Sequence, residues 1–203
     1  RIDNELLTRF SQGLVVLSGC LSGELSHHAK LDDIEGCRKV VEFYQKLFKE
    51  DYFLEIQPHP HPEQQKLNKV CFELAEERGI PLVATNDVHY LEADHSVPHE
   101  MLLCLQTQAK WGDADRMKYG SEQFYLKSEA EMRRLFAELP DAIENTWKIA
   151  ERCNVEMALG GQKNPHFPNY RCPDGMSHKQ YLTQIAAEGI RRLYGMEDLE
   201  RPK

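Results

Sequence analysis

Asp87 and His89 stand two residues apart in the run Ile80–His89, IPLVATNDVH. On extended backbone, alternate side chains share a face, so this carboxylate and this imidazole point the same way. An oxygen and a nitrogen donor converging on one point make a fragment of a divalent-metal site. The alternative is a loop aspartate that caps the next helix beside an incidental histidine. Cys20 is a second candidate, in Ser18-Gly19-Cys20-Leu21-Ser22-Gly23-Glu24. Glycines around a cysteine can mean no more than a tight turn, and a thiolate ligand needs a cation or partner charge nearby. His59 and His61 lie in QPHPHPEQ, where alternate prolines stiffen an extended loop. They read as exposed loop histidines rather than ligands. His95 and His99 are four apart, a spacing that can chelate zinc. Pro98 between them and the lack of an H-E-x-x-H pattern favour capping or packing instead.

Such residues act only where the chain holds them. Ile80–Ala84 is a short apolar run entered through Gly79, and it reads as a buried strand of a parallel sheet. Leu14–Leu17 and Tyr52–Ile56 read the same way, and ligands gather where such strands end. Between them the apolar spacing predicts helices over residues 1–12, 33–49, Glu63–Arg78 with Gly79 as its stop, and about 94–106. This strand–helix rhythm is that of parallel α/β architecture. It ends in an irregular connection, residues 107–127, whose last five residues are extended. Ser128 and Glu131 then have capping-box spacing. A helix over Asp141–Cys153 follows, with Asn154 as a left-handed stop. The Gly- and Pro-rich residues 160–176 read as a linker, and Ser177–Tyr194 as a final amphipathic helix.

The chain has 203 residues, 41% hydrophobic and 29% charged, with a net charge of -8. No apolar run reaches the ~20 residues of a membrane helix, and the polar first residues contain no signal-peptide core. A cytoplasmic protein away from membranes is expected. The negative charge argues against a surface that coats nucleic acid non-specifically. A phosphodiester held through bound cations remains compatible with it. Six cysteines form no C-x-x-C pair, so neither disulfides nor a zinc knuckle are expected.

Several blocks, in order, resemble the polymerase-and-histidinol-phosphatase (PHP) domain of bacterial DNA polymerase III alpha subunits. They are Gly13–Leu25, Phe53–Asn68 (FLEIQ-x-H…EQ…LN), Ile80–Leu91, His99–Thr107, Phe124–Met132, Asn145–Asn154 and Pro165–Pro168. The resemblance implies a distorted (β/α)7 barrel with up to three divalent metals at one end, bound by four short motifs. The cysteine-or-histidine of the third motif falls on Cys20, and the D-x-H of the fourth on Asp87 and His89. Glu24 is a weaker candidate that would support a ligand. The H-x-H and middle His/Glu motifs of the family have no counterpart here, nor has the palm domain with its catalytic aspartates. The expected fold is therefore α/β: the later strands of a PHP barrel over residues 1–110, a helical extension over 111–160, and a linker and helix leading toward a palm domain over 161–203.

For function, the resemblance implies a piece of a DNA-directed DNA polymerase whose PHP domain performs 3′–5′ exonuclease or phosphoesterase chemistry. Cys20, Asp87 and His89 would be ligands of zinc or manganese, with magnesium a third candidate, and Asp87 and His89 would serve catalysis. The piece by itself is expected to be inactive. The implied partners are DNA, the sliding clamp and the proofreading subunit. Two alternatives are a non-catalytic PHP scaffold that stabilises the polymerase and binds a proofreading partner, and a free-standing PHP phosphatase.

Overall fold

The computed structural model describes residues 2–156 and 170–195. The chain divides into two compact units, Arg1–Asn154 and Val155–Lys203. In the first, α1 (Asn4–Arg9) precedes β1 (Val16–Leu17), followed by α2 (Glu24–Lys30) and α3 (Ile34–Phe48). Next come β2 (Tyr52–Ile56), α4 (Pro62–Arg78), β3 (Leu82–Ala84), α5 (Ser96–Thr107), α6 (Glu129–Leu135) and α7 (Pro140–Arg152). The three strands form one parallel sheet in the order β1-β2-β3. Leu17 pairs with Phe53, and Leu54, Glu55 and Ile56 pair with Leu82, Val83 and Ala84.

All five residues of β2 are buried, as befits the middle strand of a parallel sheet covered by helices. Leu54 and Ile56 are wholly enclosed, with Val41 and Cys37 of α3 and Leu67, Cys71 and Leu74 of α4 in the same core. Each such aliphatic side chain stabilises the fold by about 1.5–3 kcal/mol. The ends of the helices are set locally. Asp33 accepts a hydrogen bond from the Gly36 amide at 2.9 Å and meets His28 Nδ1 at 2.8 Å. These contacts, the amide first, hold its carboxyl below the usual range. Gly79 closes α4 with φ of 65°.

The elements depart from the sequence expectation in four places. Strand β3 starts at Leu82 rather than Ile80, because Pro81 has no N–H and the Ile80 amide turns back to Ala75 O at 3.2 Å. Strand β1 shrinks to Val16–Leu17. Helix α2 was not foreseen; seven residues with Leu25 and Ala29 as the buried apolar positions are too few to display a period. Asn154 is not a left-handed stop: α7 closes on extended Cys153, and the Asn154 side-chain amide instead caps Glu151 O at 3.0 Å.

Helix α7 lies along β3, and Asn145 Nδ2 donates to Leu82 O at 2.8 Å. A side chain thereby satisfies one strand carbonyl. In the second unit, α8 (His178–Tyr194) begins in a capping box of Ser177 and Gln180 and ends at left-handed Gly195. Most of the expected linker, residues 160–169, lies outside the described residues, as does the Pro165–Pro168 block. No helix among the described residues is long and apolar enough to cross a membrane.

Candidate functional site

Beyond Ala84 the chain passes the tip of the neighbouring strand, with the Thr85 amide on Ile56 O at 3.0 Å. Asn86 is buried and acts as a clamp. Its side-chain amide donates to Gln123 O at 2.9 Å and to Tyr125 O at 2.8 Å. The extended end of the irregular connection is thus tied beside residues 86–90, where Tyr90 and Tyr125 form a parallel bridge. Asp87 adopts the left-handed region, φ of 46°, a conformation that aspartate tolerates better than most residues.

Asn86 and Val88 line one groove, of about 650 Å³. Asp87 and His89 line another, a cleft of about 390 Å³. The charged side chains of the larger groove are largely spent on each other, Arg133 pairing with Glu129 at 2.8 Å and Glu144 at 2.9 Å. The chemistry lies in the smaller cleft. Cys20, from the loop after β1, borders it too, as do Gln57, His59 and His61 from the loop after β2. Strand tips from across the sheet therefore bring the three expected site residues to one cavity. Glu24 is elsewhere: its carboxylate accepts from Tyr44 OH at 3.1 Å and borders a different cavity, behind β1.

His59 is not an exposed loop histidine. It is 3% exposed, stacked on Phe124 with ring centres 3.9 Å apart. Its Nε2 donates to Asn86 O at 3.1 Å, and burial holds its pKa below the ordinary value. Its Nδ1 is buried without a hydrogen-bond partner among the described residues. His99 packs against His89, Tyr90 and Tyr119, in keeping with the packing role expected of it. On β2, Glu55 is buried and accepts from Thr85 Oγ1 at 2.6 Å and from Gln57 Nε2 at 2.9 Å, the latter a residue that lines the cleft.

Asp87 Oδ1 lies 3.5 Å from His89 Nε2. Two donors sharing one tetrahedral ion at ~2.1 Å stand about 3.4 Å apart, so the pair fits as two ligands of one cation. On the far side of the ring, His89 Nδ1 meets the Tyr119 hydroxyl at 3.3 Å. Cys20 does not complete the set: among the described residues no group of three His, Cys, Asp or Glu is arranged to hold an ion. The residues present fit half of a coordination shell. Tyr119 was missed because residues 107–127 have no periodic signal, and His59 was misread because its loop looked solvated.

The PHP domain family matches residues 1–59, which include Cys20; Asp87 and His89 lie beyond the match. The DNA polymerase III subunit alpha of Treponema pallidum (strain Nichols) is 39% identical over 202 residues, 97% of this chain and 17% of its own length. That of Thermus aquaticus is 34% identical over 197 residues, 96% of this chain and 16% of its own. Over nearly its whole length the chain is similar to one segment of DNA polymerase III alpha subunits. The Escherichia coli (strain K12) alpha subunit agrees, at 35% identity over 189 residues, 93% of this chain. The chain thus spans 17%, 16% and 16% of the length of these three alpha subunits. Its parallel sheet and flanking helices are a partial PHP α/β fold.

Proposed function

We infer that this chain is a segment of a replicative DNA polymerase, working in the cytoplasm on DNA. In the whole polypeptide its cleft forms part of a polynuclear metal site for 3′–5′ phosphodiester hydrolysis. The observation that carries the reading is the meeting of Cys20, Asp87 and His89 at one cleft, with Asp87 and His89 at the spacing of two ligands on one ion. Zinc, manganese or magnesium bound there would polarise a phosphodiester and acidify a water. Asp87 contributes the negative charge that draws cations, and His89 the nitrogen donor that favours zinc or manganese. Cys20 borders the cleft without completing a three-donor group among the described residues, and Glu55 links the strand tips by accepting from Gln57 and Thr85. The remaining ligands come from PHP motifs that this chain does not contain, so the segment alone binds metal weakly and is inactive. DNA, the sliding clamp and the proofreading subunit are the partners this reading implies for the whole polypeptide.

A second reading has one observation in its favour. The lack of a three-donor group among the described residues suits a PHP domain that serves as a scaffold for the polymerase and its proofreading partner. A free-standing phosphatase is less favoured, since the similarity to alpha subunits runs over 97% of the chain. The two main readings separate in a full-length alpha subunit containing this segment. Stoichiometric bound metal and manganese- or zinc-dependent 3′–5′ cleavage, both abolished by Asp87→Ala, are expected. Absence of metal from the wild type, or cleavage indifferent to Asp87→Ala, would leave the scaffold.

A further inference from the structure

We propose that Tyr119 is the positioning residue of the candidate site: its hydroxyl pins His89 Nδ1 and thereby turns His89 Nε2 toward Asp87. The inference rests on the metal-site reading but concerns a residue from the irregular connection that the family motifs leave out.

Three features of the cleft support it. The Tyr119 hydroxyl lies 3.3 Å from His89 Nδ1, while Asp87 Oδ1 lies 3.5 Å from Nε2 on the other side of the ring. The imidazole is thus held between a phenol and a carboxylate, and rotation about its Cβ–Cγ bond would lose both. The Tyr119 ring is itself fixed, with ring centres 4.4 Å from His89, 4.9 Å from Phe124 and 5.2 Å from His99. Its position does not depend on the hydroxyl alone. Finally, a phenol both donates and accepts. It would donate to Nδ1 with the ring proton on Nε2, and accept from Nδ1–H with the ring proton on Nδ1. A histidine that binds metal through one nitrogen is generally oriented by a partner on the other, and loss of that partner weakens metal binding about 10–100-fold.

Tyr119→Phe keeps the ring packing and deletes only the hydroxyl. Long-range proton–nitrogen spectra of the chain labelled with nitrogen-15 report the His89 tautomer without metal, at about pH 8 where an ordinary histidine is neutral. One dominant tautomer is expected in the wild type and a mixture in Tyr119→Phe. A mixture in the wild type, or a variant spectrum unchanged from it, overturns the proposal. Titration of a full-length alpha subunit containing this segment with Zn²⁺ then separates this inference from the reading beneath it. With the metal reading correct, Tyr119→Phe weakens Zn²⁺ affinity about 10-fold, and Asp87→Ala removes it. Equal affinity of Tyr119→Phe and wild type alongside a loss in Asp87→Ala overturns the positioning role and spares the metal site. Zn²⁺ binding indifferent to Asp87→Ala overturns the metal reading, and the tautomer result still decides whether Tyr119 orients His89.

Discussion

Asp87 holds a backbone conformation that works against stability. Its φ of 46° is a conformation glycine adopts without a steric penalty. Asp87→Gly relieves a left-handed cost of about 1–2 kcal/mol against about 0.4–1 kcal/mol of added unfolded-chain entropy. A net rise in unfolding free energy of up to about 1 kcal/mol is therefore expected by urea denaturation, while the carboxylate leaves the cleft. A fall in stability would mean that the carboxylate supports the loop more than the conformation strains it. His59 makes the opposite case. His59→Phe preserves the stack on Phe124 but strips the hydrogen bond from Asn86 O. Leaving that acceptor unmatched is expected to cost about 1–3 kcal/mol, read from the same denaturation curves. The two residues lie on adjoining loops, so their effects are best compared as single substitutions before they are combined.

At the level of elements, helix ends are where the physics is most separable. Gly79 is left-handed, and a methyl added there would meet no heavy atom within 4 Å. The cost of Gly79→Ala is therefore conformational, about 1 kcal/mol, and thermal unfolding should register it. Helix α6 depends on charge instead. Hydrogen bonds from the Tyr125 hydroxyl first, and then from Ser128, hold the Glu131 carboxyl down at about 2, against an ordinary 4.5. A folded-state pKa below the unfolded one stabilises above the unfolded value and fades as pH falls through the folded value. Wild type is thus expected to be more stable than Glu131→Gln above about pH 4.5, with the gap shrinking on descent toward pH 2. Thermal melts of both proteins across that range would check it; a gap that widens on acidification would contradict the assignment.

Across the whole molecule, the unusual feature is apolar surface. Val97, Met101 and Leu105 recur every four residues on α5 and are 48%, 56% and 77% exposed. A contiguous apolar stripe of this kind favours self-association. The double substitution Met101→Lys and Leu105→Lys is expected to lower concentration-dependent light scattering and leave the unfolding midpoint nearly unchanged, since neither side chain is in the core. Unaltered scattering would put the adhesive surface elsewhere, with the open edge of β1 the next candidate.

The strand–helix alternation, the Gly79 stop, the Ser128 capping box and the parallel sheet were legible along the chain. Each is governed by neighbours within a few residues, through apolar period, missing side chains or local hydrogen bonds. The extended spacing that would turn Asp87 and His89 the same way is not what the chain adopts: Asp87 is left-handed, and the folded loop brings both to one cleft. Tertiary structure alone decided what surrounds them. His59 became a buried wall, Asn86 a clamp, Glu24 a partner of Tyr44, and Tyr119 a neighbour of His89 from thirty residues away. Those outcomes depend on which loops a folded sheet brings to the same end, and local spacing contains no information about that.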